Sequence, residues 1–140
     1  MHTFLTKSEI TNMFLKELLW SLSYMLDDGD EEIVTSICQG KNTMQSIINY
    51  MNSPLEEEQK PALRCAGQIL VSDNHENIDL FMFNGGLKAL DSLLVPTQKD
   101  DTTKEILWCL SNISAGGEHH IRALLSCETL MDKIYTLLTS

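Results

Sequence analysis

The chain has 140 residues, 43% of them hydrophobic, with ten Lys+Arg against twenty Asp+Glu and a formal net charge of −10. That length fits one domain, and that charge argues against nucleic acid as a direct partner while suiting a basic peptide. No apolar run is long enough to span a bilayer, the N-terminus lacks the charged-then-apolar pattern of a secretory signal, and period-2 alternation of β-branched residues is scarce.

Residues 1–11 read as the remnant of a preceding helix, carried by His2-Thr3-Phe4-Leu5. Thr11 or Asn12 caps the first full helix, which runs to about Leu26. Asp27-Asp28-Gly29-Asp30 breaks it. A short helix follows from Glu31 to about Gln39, then one from about Thr43 to Met51 with Met44, Ile47, Ile48 and Met51 on its apolar side. After Asn52-Ser53-Pro54, the run Glu56-Glu57-Glu58 favours a helix N-terminus, and Pro61, tolerated in a first turn, places the main helix at about Lys60 to Val71. Residues 75–83 and 87–95 are again short and medium helices, split by Asn84-Gly85-Gly86. The third set is the stretch 104–117 with Thr102 or Thr103 as its cap, then residues 118–126 after Gly116-Gly117, and a last helix from about Thr129 to Leu138. Ile33, Ile78 and Ile121 keep step as core positions, as do Ile47, Leu90 and Ile134.

A repeat organises these elements. Trp20, Arg64 and Trp108 are spaced by 44 residues, and four residues after each comes Tyr24, Gln68 and Asn112. At about 100° per residue these pairs form one outward line, with Glu105 beside Trp108. The opposite stripes read Leu18-Leu19-Leu22-Leu26, Ala62-Leu63-Ala66-Leu70 and Ile106-Leu107-Leu110-Ile113. Small residues flank the outward row each time, at Ser21, Cys65 and Cys109 and at Ser23, Gly67 and Ser111, so neighbouring helices can approach closely. A period in the low forties of helical residues marks an all-α solenoid, and about three units is near the minimum for one that stands alone. Both ends would expose apolar faces, so the chain reads as a fragment that self-associates.

The stretches WSLSYMLDDG, PALRCAGQILVSD and KEILWCLSNISAG resemble three successive third helices of armadillo repeats in the importin-α family, over about Asn12 to Leu138. The resemblance implies a right-handed superhelix of armadillo repeats, here units of about 12–51, 56–95 and 102–138, in a nuclear import adaptor of cytoplasm and nucleus. In that family Asn side chains hydrogen-bond the backbone of an extended cargo peptide, and Trp indoles hold its Lys and Arg residues. Trp108 and Asn112 match outright; Trp20 matches with Tyr24 in the Asn place, Arg64 stands where other repeats have Trp, and Gln68 replaces Asn. The Arg/Tyr interruption lies, in the family, between a larger and a smaller site for basic peptides. The alternative is an armadillo scaffold for a partner unrelated to import.

Nothing points to catalysis or to a cofactor. Phosphate-cradling glycine loops, nucleophile elbows and metal-ligand spacings are absent. His119-His120 point about 100° apart on a helix and so face one ion poorly, and the acidic run 27–32 lacks the EF-hand spacing. The methionines fall at core spacing. Cys38, Cys65, Cys109 and Cys127 form no Cys-x-x-Cys pair; Cys65 and Cys109 occupy equivalent repeat positions and read as packing residues of a reduced protein.

Overall fold

The structure, a computed structural model, describes residues 6–28 and 30–139, with the side chains of 8–12 and 15 excepted. The remnant helix expected at residues 2–5 and the Gly29 of the expected break lie outside them. Among the described residues are nine helices: α1 Lys7–Asp28, α2 Glu31–Cys38, α3 Thr43–Met51, α4 Glu56–Leu70, α5 His75–Phe83, α6 Gly86–Leu93, α7 Asp100–Ser114, α8 Glu118–Ser126 and α9 Glu128–Thr139. The long helices α1, α4 and α7 form one layer with α4 in the middle, and α2 packs on α5 as α3 packs on α6.

Three helix starts differ from the sequence reading. Thr11 and Asn12 lie inside α1, which begins at Lys7. Pro61 sits inside α4, which opens at Glu56, four residues before the expected start at Lys60: Glu56, Glu57 and Glu58 in the first turn complement the helix dipole, and a proline this close to the start costs a single hydrogen bond. Asp100 and Asp101 likewise form the first turn of α7, so Thr102 is buried within the helix and Lys99 takes the cap position. Asp30 does act as a cap, its carboxylate accepting the Ile33 N–H at 2.9 Å to start α2. Gly85, at φ 88, supplies the left-handed turn between α5 and α6.

The stripes become a core in proportion to their place in the stack. Leu63 and Ala62 on α4 are fully covered, and each buried leucine or isoleucine of this kind contributes about 1.5–3 kcal/mol. Leu18, expected in the core, is 57% exposed although its counterparts Ala62 and Ile106 are at 0%. Leu107 is 37% exposed although its counterparts Leu19 and Leu63 are at 6% and 1%. The reason is positional: Leu18 faces away from α4 at one end of the layer and Leu107 at the other. Ile33 and Ile121 are also outside the core; Val34, 44 residues before Ile78, is the buried counterpart.

Two contacts repeat with the period of the sequence. The Cys65 thiol donates to the Leu19 carbonyl at 3.4 Å, and Cys109 approaches the Leu63 carbonyl in the same way at 4.0 Å. Lys16 pairs with Glu57 at 3.4 Å, and one repeat later Lys60 pairs with Asp101 at 3.0 Å, leaving Lys104 at the third step. The thiols are helix-packing groups, and burial pushes Cys65 and Cys109 up to about 12 and Cys38 up to about 11. All four cysteines are free. Thiolate is the reactive species, so iodoacetamide at mildly alkaline pH should label Cys127, which is partly exposed, and spare the other three until the chain is unfolded. Mass spectrometry of tryptic peptides reads this directly, and labelling of Cys65 or Cys109 in the native chain would contradict the packing.

Candidate functional site

The long helices place the outward row on one surface. A pocket of about 370 Å³ opens between α1, α4 and α7, and its walls include Trp20, Tyr24, Arg64, Gln68 and Glu105. Five of the seven residues singled out from sequence thus line one cavity. Trp108 and Asn112 stand beside it, each partly exposed.

On α1, Trp20 and Tyr24 stack with ring centroids 6.2 Å apart and planes at 27°, forming an aromatic wall. Across it, the Arg64 guanidinium lies over the Trp108 ring, 5.6 Å from its centroid, while Nη1 donates to Glu105 Oε1 at 2.6 Å. Arg64 therefore occupies one face of the indole that an external cation could use. Its own charge is matched by that aromatic face and by the carboxylate. The second oxygen of Glu105, Oε2, is buried and has no hydrogen-bond partner among the described residues.

Gln68 lines the pocket yet is only 7% exposed, because α4 is covered on both sides and buries everything around its outward arginine. Asn112, on the end helix α7, keeps a partly exposed amide whose Nδ2 reaches the Gly67 carbonyl at 3.5 Å. That long bond is weak and easily exchanged.

Gly67 is the residue whose specific role sequence reasoning missed. A Cβ there would stand 2.2 Å from Trp108 Cζ3 and 2.6 Å from Cε3, so the bare backbone is the seat of the indole. The available signal was that Gly67 interrupts a serine position, with Ser23 and Ser111 at the equivalent sites.

The histidine pair also departs from expectation. His119 and His120 were expected to diverge, but both Nε2 atoms converge on Asp79 Oδ1 of α5, at 2.9 and 2.6 Å, holding its carboxyl below the usual range. His120 is buried and its Nδ1 accepts the Gly117 N–H at 2.8 Å, which puts the proton of the neutral ring on Nε2. The lone pair that a metal would need on that atom is thus committed to a proton, and the group joins two units as a polar link. The acidic segment at α2 is used in structure as well: Glu31 accepts from the Ser72 hydroxyl and from the Asn74 N–H.

No protein-family model matches the sequence. The chain is 30% identical over 112 residues to importin subunit alpha-1a of Oryza sativa subsp. japonica, a match covering 80% of this chain and 21% of that protein, so it spans about a fifth of the length of its curated relative. Its fold resembles that of the designed armadillo repeat protein YIII(Dq)4CqI, with a TM-score of 0.74 at 21% identity over 91% of this chain and 50% of the other. It also resembles a designed armadillo repeat protein solved in complex with the peptide (KR)4, with a TM-score of 0.57 at 20% identity over 90% of this chain and 65% of the other. Among the described residues no helix is long and apolar enough to cross a membrane. The chain is an armadillo-repeat solenoid, similar along four fifths of its length to an importin alpha subunit.

Proposed function

We propose that the chain binds an extended basic peptide along the concave row of α1, α4 and α7, as part of a nuclear import adaptor acting between cytoplasm and nucleus. The observation that carries this reading is the gathering of Trp20, Tyr24, Arg64, Gln68 and Glu105 in one pocket beside Trp108 and Asn112. An indole face attracts a cation by about 0.5–2 kcal/mol, and an Asn amide offers a peptide group both a donor and an acceptor. Similarity to an importin alpha subunit and to a designed repeat protein that holds (KR)4 supports the same ligand chemistry. The role is binding rather than catalysis, with neither cofactor nor metal. Titration of a fluorescent (KR)4 peptide by anisotropy, at low and at physiological salt, is the direct test. Saturable binding that weakens with salt is expected, given the net charge of −10; equal binding of an acidic peptide would favour the unrelated scaffold.

We also infer that the isolated chain self-associates through its ends, since Leu18 at one end and Leu107, Tyr135 and Leu138 at the other are exposed apolar groups. Light scattering over a concentration series should show growth beyond 15.8 kDa. A single monomeric mass at the highest concentration would contradict it.

A further inference from the structure

The two ends of the stack are complementary in helix order. Among the described residues the order is one long helix, α1, then two sets of short, short and long, then the short pair α8 and α9. In each full set the long helix packs on the second short one, α4 on α3 and α7 on α6, whereas α9 has no long helix after it among the described residues. Tyr135 and Leu138 of α9 are exposed, and a cavity of about 420 Å³ lies open between α9 and α7, walled by Thr103, Lys133 and Leu137 among others. At the other end, Phe14, Leu18, Ser21 and Met25 of α1 fall four, three and four residues apart and form one exposed stripe. The same stripe is buried in the next two units: Leu18, Ser21 and Met25 stand 44 residues before Ala62, Cys65 and Ile69, which stand 44 before Ile106, Cys109 and Ile113. What covers it there is the preceding long helix, since the Cys65 thiol meets the Leu19 carbonyl and Cys109 approaches that of Leu63. The next carbonyl in this series is that of Leu107, on the outer side of α7, and the residue in the donor place on α1 is Ser21.

We infer that α1 of a second copy docks head-to-tail on α7 and α9, in the place of a third helix for the last unit, with its exposed stripe against Leu107 and its Ser21 hydroxyl on the Leu107 carbonyl. The inference rests on the self-association proposed above and adds which faces meet and in what register. Burial of the stripe drives the contact, and its fit is the one the chain already uses between α1 and α4 and between α4 and α7. One internal contact is not reproduced. Lys16 pairs with Glu57 and Lys60 with Asp101, but Lys104 would face Met13 of the next copy, which stands 44 residues before Glu57. The step between copies is therefore weaker than the steps within one. Because it joins unlike faces, copies add one after another instead of stopping at a pair. Stacking also brings Trp20 and Tyr24 of the next copy beside Trp108 and Asn112, so the concave row runs on from copy to copy.

The test follows four samples by sedimentation velocity: the parent, Leu18→Glu, which blocks the α1 face, Leu107→Glu, which blocks the α7 face, and an equimolar mixture of the two variants. Leu18 is exposed and Leu107 partly so, and thermal melts verify that each variant folds; Ser111→Arg, at an exposed position four residues on, blocks the same side of α7 should Leu107→Glu unfold. The parent should grow with concentration, and each variant alone should stay monomeric where the parent associates. The mixture should form a species of two chains and none larger, because it keeps one intact face of each kind. Met13→Glu should tighten the parent's association about two- to fivefold at low salt by meeting Lys104, a gain that adding Lys104→Met removes. If Leu107→Glu associates as the parent does, or the mixture stays monomeric, head-to-tail docking is overturned and self-association by another contact stands. No gain from Met13→Glu, or a gain that survives Lys104→Met, overturns the register and with it the inference. If the parent is monomeric throughout, both fall, and the two faces belong to a different partner.

Discussion

Gly67→Ala should unseat the Trp108 indole and lower stability by about 1–3 kcal/mol, although alanine is the better helix former. The new Cβ would stand 2.2 Å from Cζ3, well inside contact distance, and two helices would have to separate or the ring rotate out. Urea unfolding should show an earlier midpoint, and tryptophan emission of the folded chain should shift to the red. The decisive arm is the double change. With Trp108→Ala the obstruction is gone, so adding Gly67→Ala should become neutral or stabilising by up to about 1 kcal/mol. An unchanged midpoint for Gly67→Ala alone would mean that the indole is not seated there.

The second large effect falls on binding. Trp108→Ala and Asn112→Ala should each weaken binding of the (KR)4 peptide by about 1–3 kcal/mol, the first by removing the aromatic surface and the second by removing an amide available to the peptide backbone. Asn112 has little to lose internally, since its bond to the Gly67 carbonyl is already 3.5 Å long. Its substitution should leave the urea midpoint nearly unchanged, which separates a contact effect from a folding effect. Binding indifferent to both changes would move the site off this part of the row.

The fold was legible because its defining quantity is a distance along the chain. Forty-four residues separate Trp20, Arg64 and Trp108, and the helices that carry them form one layer. Periodicity says which residues share a face, so Ala62, Leu63, Ala66 and Leu70 are buried as expected. It cannot say where a stack ends, and Leu18 and Leu107 are exposed for that reason alone. Helix starts were read from the wrong signals: a threonine cap was favoured at Thr102 where the acidic pair Asp100-Asp101 already stabilised the first turn, and Pro61 was given more weight than three glutamates. At the site, spacing identified the outward row but not the pairings across it. That Arg64 lies on Trp108, that Gly67 seats the ring and that His119 and His120 meet at Asp79 all depend on residues of neighbouring units coming together. The period itself held one overlooked sign, the lysines at 16, 60 and 104, whose first two members make the same ion pair one unit apart.

The chain contains two tryptophans, Trp20 in the wall of the pocket and Trp108 under Arg64 beside it, so their indole N–H groups report on the proposed groove by themselves. A (KR)4 peptide carrying a paramagnetic nitroxide should broaden both indole signals in the proton–nitrogen spectrum of the chain, together with amides of α1, α4 and α7, and spare those of α2, α5 and α8. Broadening of α8 and α9 amides with both indole signals left sharp would contradict binding along the row.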